Sequence, residues 1–408
     1  MNNNRSVLFP PALLLSILLV LSGLFACAQE TPESAEGSVD SVSGATPVAG
    51  NTQSEQIIVE AGGQRLVLEE ILRTGEVIWA MDFIDANTMI FSERIGRLKL
   101  LDLETAEVTS LEGGPVVLQT PSGGLFDVLV DPDFAQNRLL YFTYVKAVGD
   151  GSSAIALARA KLEGTSLIDT VDLFVANNPS EDHAHWGSRV VMDAQRYLYM
   201  TSGDRHVPDN AQNLLSHGGK VLRLHDDGRV PADNPFAGRD DAVPEIWSYG
   251  HRNPQGLAIH SEHGTLFEQE HGPTGGDEIN VIEKGRNYGW PVITWGGNIW
   301  GGQEALGTVR EGMEQPLKYF KSNIAPSGMT FYFGDQYPRW KGSLFSSTLR
   351  GHINRLELDL ETDKRRVIKE ERMLSEWRER IRDVAEGPDG LLYLATESGA
   401  IARLVTER

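Results

Sequence analysis

The sequence predicts an all-β fold, a six-bladed β-propeller, on three observations. A phrase of short apolar strand, Asp- or Gly-built turn and second strand recurs six times, at residues 79–91, 127–144, 190–202, 257–268, 329–345 and 384–396. Its turn markers, Asp85, Asp131, Asp193, Glu262, Asp335 and Asp389, lie 46, 62, 69, 73 and 54 residues apart, which is blade length plus insertions. Helical periodicity is scarce beyond Ile57, while glycine reaches 42 of 408 residues, as many tight turns require. A pair of β-sandwiches is the competing architecture. Six units with no domain boundary between them favour the ring.

Residues 1–27 read as an export signal. Arg5 is the only charge, and residues 13–25 form an apolar run too short to span a bilayer comfortably. Leu24-Phe25-Ala26-Cys27 resembles a bacterial lipoprotein box, and Ala26-Cys27-Ala28 also fits an ordinary small-x-small cleavage site. We take the lipoprotein reading, because Cys27 is the only cysteine and a tether-like segment follows. The mature protein is then expected in the periplasm or cell envelope, touching the membrane only through a lipid on Cys27. Residues 28–55 are rich in Ser, Thr, Glu, Gly and Pro and lack aromatics. Such a chain cannot bury enough apolar area to offset its ordering entropy, so a disordered linker is expected. Residues 56–408 form the propeller domain. An early strand at 65–72 is expected to pair with the last blade and close the ring. Long insertions fall at 203–243 and 272–320, and loops on a rigid scaffold are where sites gather.

Net charge is −20, and 36 basic against 57 acidic residues remain once Arg5 leaves with the signal. That balance argues against a nucleic-acid partner. One cysteine excludes an internal disulfide framework and a Cys-based zinc site.

Nine of the ten histidines lie between His183 and His271. Alternation along a strand would put His183 and His185 on one side, as a surface pair or as part of a metal site. Tyr249 to Gly256 is a compact polar segment in which Arg252 offers a planar fork and Asn253 a directional donor and acceptor, or a turn whose Arg merely packs. Glu270 to Glu278 combines carboxylates with glycines that let carbonyls approach a ligand, a hard-oxygen setting suited to calcium. An acidic turn without an ion is the alternative. Arg380 and Arg382 alternate onto one face of a strand with Asp383 on the other, which fits a bound polyanion or a solvated edge.

Several phrases, in order, resemble the soluble pyrroloquinoline-quinone-dependent aldose (glucose/sorbosone-type) sugar dehydrogenases. They include Gly123-Gly124-Leu125-Phe126-Asp127, His185-Trp186-Gly187-Ser188-Arg189 and Ile246 through Gly256. Glu270-His271-Gly272-Pro273, Gly276-Asp277-Glu278-Ile279-Asn280, Asn287-Tyr288-Gly289-Trp290-Pro291 and Arg380-Ile381-Arg382-Asp383-Val384 follow. The resemblance spans about residues 75–405 and itself implies a six-bladed propeller. It implies His185 as general base, with Arg252 and Asn253 holding the quinone. It implies Arg380 and Arg382 as a clamp for its carboxylate, with Arg350 where a Lys is usual. The carbonyls of Gly272 and Pro273 match ligands of a catalytic calcium, and Glu278 with the Tyr288 carbonyl those of a second, structural one. The implied reaction takes an aldose at C1 to a lactone, with an external electron acceptor.

Three positions depart from the family's pattern. Ser122 stands where a cofactor-contacting Gln is usual. Ala184 replaces an Asp that would orient the base, a role left to Asp182 or His183. Ile299 replaces a Tyr. These departures keep two other functions open: a non-catalytic binding propeller, or a calcium-dependent lactonase-type hydrolase.

Overall fold

The computed structural model describes residues 46–47, 57–298, 304–361 and 365–407. The expected export signal with Cys27, most of the linker at 28–55, and Ile299 lie outside the described residues. The rest is a six-bladed propeller in which the strands of each blade pair antiparallel, in chain order except that the sixth blade takes an early strand.

Blade 1 comprises Ile78–Phe83, Thr88–Glu93, Arg97–Asp102 and Val108–Ser110, and blade 2 Leu125–Val130, Leu139–Gly149, Ser152–Glu163 and Ser166–Val175. Blade 3 comprises Gly187–Met192, Tyr197–Ser202, Lys220–His225 and Ile246–Tyr249, and blade 4 Pro254–Ile259, Leu266–Glu270, Asp277–Ile282 and Lys318–Phe320. Blade 5 holds Pro326–Phe331, Leu344–Thr348, His352–Asp359 and Arg366–Met373. In blade 6, Ile381–Glu386, Leu392–Thr396 and Ala400–Thr406 take Gln64–Arg73 as their outer neighbour. The chain's early strand thus closes the ring, as the sequence predicts.

The six sequence phrases are the first two strands of the six blades. The Asp turns work as their chemistry requires: Asp85 accepts the backbone N–H of Asn87 and Thr88, and Asp193 those of Gln195 and Tyr197. Inner strands such as Leu125–Val130 are buried almost throughout, because neighbouring blades cover both faces. Outer strands such as Arg366–Met373 are largely exposed.

Each inner strand slips register where it begins, for example between Gly187 and Val190 or between Ile381 and Asp383. Side chains stitch one blade to the next near these bulges. The Asp127 carboxylate accepts the Val190 N–H at 2.7 Å, and Asp383 accepts that of Met81 at 3.0 Å. Hydroxyls repeat the device: Thr143 donates to the Ser188 carbonyl and Thr201 to that of Pro254.

In this up-and-down order, all inner strands begin at one end of the ring, and all second-to-third-strand turns return there. The Asp hairpins occupy the other end. The insertion after Asp277–Ile282 climbs back beside blade 3's outer strand, since Tyr288 and Trp290 donate to the Tyr249 and Gly250 carbonyls. One rim therefore collects the entrances and the insertions.

Candidate active site

His183 and His185 are not on a strand, contrary to expectation: the chain at 182–186 is irregular and leads into Gly187–Met192. His185 adopts a left-handed φ of +50°, and Ser188, Arg205 and His206 nearby also have positive φ. Such conformations persist only where neighbours impose them. Arg205 is the imposing group. Its guanidinium lies 3.3 Å from the Trp186 ring centroid and donates to the carbonyls of Asp182 and Ala184.

Neither Asp182 nor His183 orients the base position. Asp204 does, with Oδ1 2.6 Å from His185 Nδ1. The Trp290 indole donates to the other Asp204 oxygen at 2.8 Å, and the His206 N–H donates to Oδ1 at 3.0 Å. Asp182 instead faces His206 Nδ1 at 2.9 Å. The insertion bearing Asp204 folds around the buried Lys220 amine, which donates to the carbonyls of Asn210, Ala211 and Gly218. Burial pulls the His185 pKa down to about 4, against the pull of Asp204 and helped by the charge of Arg252. The ring is therefore neutral near pH 7. With Nδ1–H given to Asp204, Nε2 carries the lone pair.

A chain of polar contacts runs from the Gly187 backbone, two residues beyond this imidazole, to Arg382 of blade 6. Asn253 Oδ1 accepts from the Gly187 N–H at 3.2 Å and from Gln255 at 3.1 Å. Arg382 in turn donates to Gln255 Oε1 at 3.2 Å. Arg252 is buried, donates to the His271 carbonyl at 3.2 Å and lies over the Trp290 ring. Its own carbonyl accepts the Asp204 N–H. Arg380 and Arg382 do converge, but on a protein carboxylate: each donates to one oxygen of Glu397. One carboxylate of the chain thus balances part of their charge. Arg380 also reaches the Leu349 carbonyl at 3.3 Å, next to the exposed Arg350 on the same rim. The Ser122 hydroxyl donates to the His183 carbonyl.

The Gly272 N–H donates to Asp277 Oδ1 at 2.8 Å, which folds the 271–276 loop tightly. A Cβ on Gly272 would sit 2.1 Å from the Gly275 carbonyl oxygen, so only glycine fits. Pro273 is buried in this loop. Gly272, Glu278, Tyr288, Arg252 and Glu270 line one small cavity. Behind it, His251, Glu268 and Glu270 bring three possible ligand atoms within 4.8 Å of one another. Burial, then the charge of Glu270, pushes the carboxyls of Glu268 and Glu278 well above the usual range.

The sequence reading assigned no site role to Asp204, Glu268 or Glu397, and Gln255 fell within its Tyr249 to Gly256 segment without a role of its own. Asp204 follows the second strand of blade 3 directly, at the head of an insertion, and that placement is the signal that could have found it.

A family model for glucose/sorbosone dehydrogenases matches residues 76–404. The aldose sugar dehydrogenase YliI of Escherichia coli (strain K12) is 38% identical over 327 residues, covering 79% of this chain and 87% of that protein. A solved structure of the soluble aldose sugar dehydrogenase from Escherichia coli in the apo-form superposes with a TM-score of 0.78 at 36% identity, over 84% of this chain and 99% of that one. Quinoprotein glucose dehydrogenase B of Acinetobacter calcoaceticus is 31% identical over 260 residues, 56% of this chain and 52% of that protein. With the ring, the imidazole–carboxylate pair and the cationic rim in place, the chain belongs to the glucose/sorbosone dehydrogenase family.

Proposed function

We propose that this sugar dehydrogenase oxidises aldoses at C1 to lactones, using pyrroloquinoline quinone and calcium. The observation that carries the reading is the neutral, Asp204-oriented imidazole of His185 on the same rim as Arg252, Arg380 and Arg382.

The residues present suit both groups. The quinone is a tricarboxylate, and this acidic protein gathers four arginines (252, 350, 380 and 382) at one end. Arg382 keeps a buried Nε–H with no acceptor among the described residues, a donor left over for an anion. The carbonyls of Gly272 and Pro273 would hold the catalytic calcium, and Glu278 with the Tyr288 carbonyl a second one. Carboxylates and carbonyls are the donors that hard cations take. When bound, the metal-polarised quinone supplies the hydride acceptor.

The chain's own residues do the rest. His185 Nε2 takes the proton of the anomeric hydroxyl. Asp204 holds the tautomer and stabilises the imidazolium that forms. Arg252, between the imidazole and the calcium loop, places positive charge where the substrate oxygen becomes anionic. Arg205 holds the loop at 182–186 and Asp277 the loop at 271–276, so the base and the residues that would hold the calcium are in place before substrate arrives.

The test is reconstitution of purified protein with pyrroloquinoline quinone and calcium, followed by dye reduction with several aldoses. Turnover that requires both additions supports the reading. Absence of cofactor binding and of turnover rejects it. Lactone hydrolysis without the quinone would favour the hydrolase, and dye reduction unaffected by His185→Ala the non-catalytic module. The orientation of His185 by Asp204 removes the argument that Ala184 had lent that module.

We further place the protein outside the cytoplasm, tethered through Cys27. Equal palmitate labelling of wild type and Cys27→Ser would refute the tether.

A further inference from the structure

Arg380 and Arg382 already share a carboxylate in this structure. Glu397 lies in the turn between Leu392–Thr396 and Ala400–Thr406, and its two oxygens accept from Arg380 Nε and from the terminal nitrogen of Arg382. Its backbone N–H donates to the Arg380 carbonyl at 2.9 Å, so the turn and the arginine pair are tied at two levels. The next cation along does not compete for it. Arg73 donates to Ser398 Oγ, to Glu70 and to Glu379, and is balanced by them.

Glu397 does not exhaust the pair. Arg382 retains its buried, unaccepted Nε–H, and the Arg380 side chain is 55% exposed on the rim. Two further guanidinium groups, Arg94 and Arg189, lie near enough to Arg382 to disfavour its charge. Burial pushes the Glu397 carboxyl up, but Arg382 and Arg380 outweigh it and hold it ionised. Arg189 is itself paired with Asp127 and Asp383, so the charge that Glu397 leaves in excess is that of the Arg380–Arg382 pair, two guanidinium groups on one carboxylate.

We propose that Glu397 is an affinity-setting placeholder for the cofactor's carboxylate: it occupies both guanidinium groups in the empty site, and a polycarboxylate ligand enters by taking over part of that pair. This rests on the cofactor reading given above. The physical reason is symmetric. Without Glu397, buried Arg382 loses the carboxylate bonded to it and keeps Arg94 and Arg189 nearby, with only the Asp383 it shares with Arg189 as counter-charge, which destabilises the empty protein. With Glu397 in place, an incoming carboxylate meets a like charge in a poorly screened site, which weakens binding. Removing its charge therefore acts in opposite directions on the empty and loaded forms. A residue that merely braced the arginines for the ligand would weaken both.

The experiment compares wild type, Glu397→Gln and Glu397→Asp. Pyrroloquinoline quinone is titrated into each in calcium buffer and followed by absorbance, and the melting temperature of each empty protein is measured. Glu397→Gln is expected to bind the quinone about tenfold more tightly, equal to ~1.4 kcal/mol, and to melt at a lower temperature when empty. Glu397→Asp keeps the charge but is too short to span both arginines, and is expected to gain affinity by less. Equal or weaker binding by Glu397→Gln, with wild type binding, overturns the placeholder and leaves the cofactor reading standing. If Glu397→Gln does not fold, Glu397→Asp decides: equal or weaker binding overturns the proposal, tighter binding supports it. If no folded form binds the quinone, the cofactor reading falls and the placeholder with it.

Discussion

At the entrance of blade 3 a carboxylate holds one imidazole; at the entrance of blade 6 a carboxylate holds two guanidinium groups. The geometry is alike, and the chemistry differs because of what the base can lose. An imidazole sheds its proton near neutral pH, so burial leaves His185 neutral and Asp204 fixes which nitrogen is bare. A guanidinium keeps its proton, so Glu397 neutralises and occupies. One carboxylate prepares a base, and the other screens a binding group.

The largest effect is expected at the base itself. His185→Ala should lower aldose turnover by about 10²–10⁴-fold while the quinone titration changes little. Steady-state dye reduction beside an absorbance titration separates the two, and loss of quinone binding as well would mean that His185 holds the cofactor. Asp204→Asn comes next. It keeps the shape but can present a donor to Nδ1, which turns the tautomer over and puts the hydrogen on Nε2. Turnover should fall about 100-fold, mostly in kcat. A change confined to KM would break the comparison, because Asp204 would then be holding substrate.

The pH profile sharpens the same point. The base works only when neutral, and its pKa in the fold is about 4. Log kcat/KM should be flat down to about pH 5 and fall as pH drops through about 4. An acid limb near 6.5 would show His185 in an ordinary solvated state. The sign for stability agrees. Between about pH 6.5 and 4 the unfolded chain binds a proton at His185 that the folded protein does not, so this group costs stability as pH falls across that window.

The ring was legible because each of its causes is local. A blade's first hairpin needs two apolar runs and a turn residue that bonds its own backbone, as Asp85 and Asp193 do, and both can be read from adjacent letters. Closure by Gln64–Arg73 was legible because a ring of blades needs the open edge of its last blade covered, and an early strand is free to cover it. The site was legible where one residue type is indispensable, as at Gly272, or where a cationic pair stands out, as at Arg380 and Arg382. It was not legible where partners meet across the rim. Asp204 lies 19 residues from His185 and Glu397 lies 15 from Arg382, and no spacing rule links them. The expected same-side pairing of His183 and His185 failed for a related reason. Alternation holds only on a strand, and that stretch is irregular: His185 is left-handed, and Arg205, 20 residues away, binds the carbonyls of Asp182 and Ala184.

Ser122 gives the smallest expected effect, and it tests whether the rim between these two entrances touches the cofactor at all. Its side chain is exposed, yet its hydroxyl donates to the His183 carbonyl, which also accepts from the Trp186 indole at 3.2 Å. That places Ser122 as a lateral tie on the loop carrying His185. An exposed hydrogen bond of this kind contributes about 0.5 kcal/mol. Ser122→Ala should therefore leave quinone affinity within about threefold and lower turnover by a similar factor, through looser placement of His185. Quinone titration and steady-state turnover on the same preparation read the two separately. A tenfold loss of affinity with turnover at saturation intact would move Ser122 from the imidazole's support to the cofactor's contacts, and the rim would then grip its ligand along the arc from blade 2 to blade 6 rather than at two entrances alone.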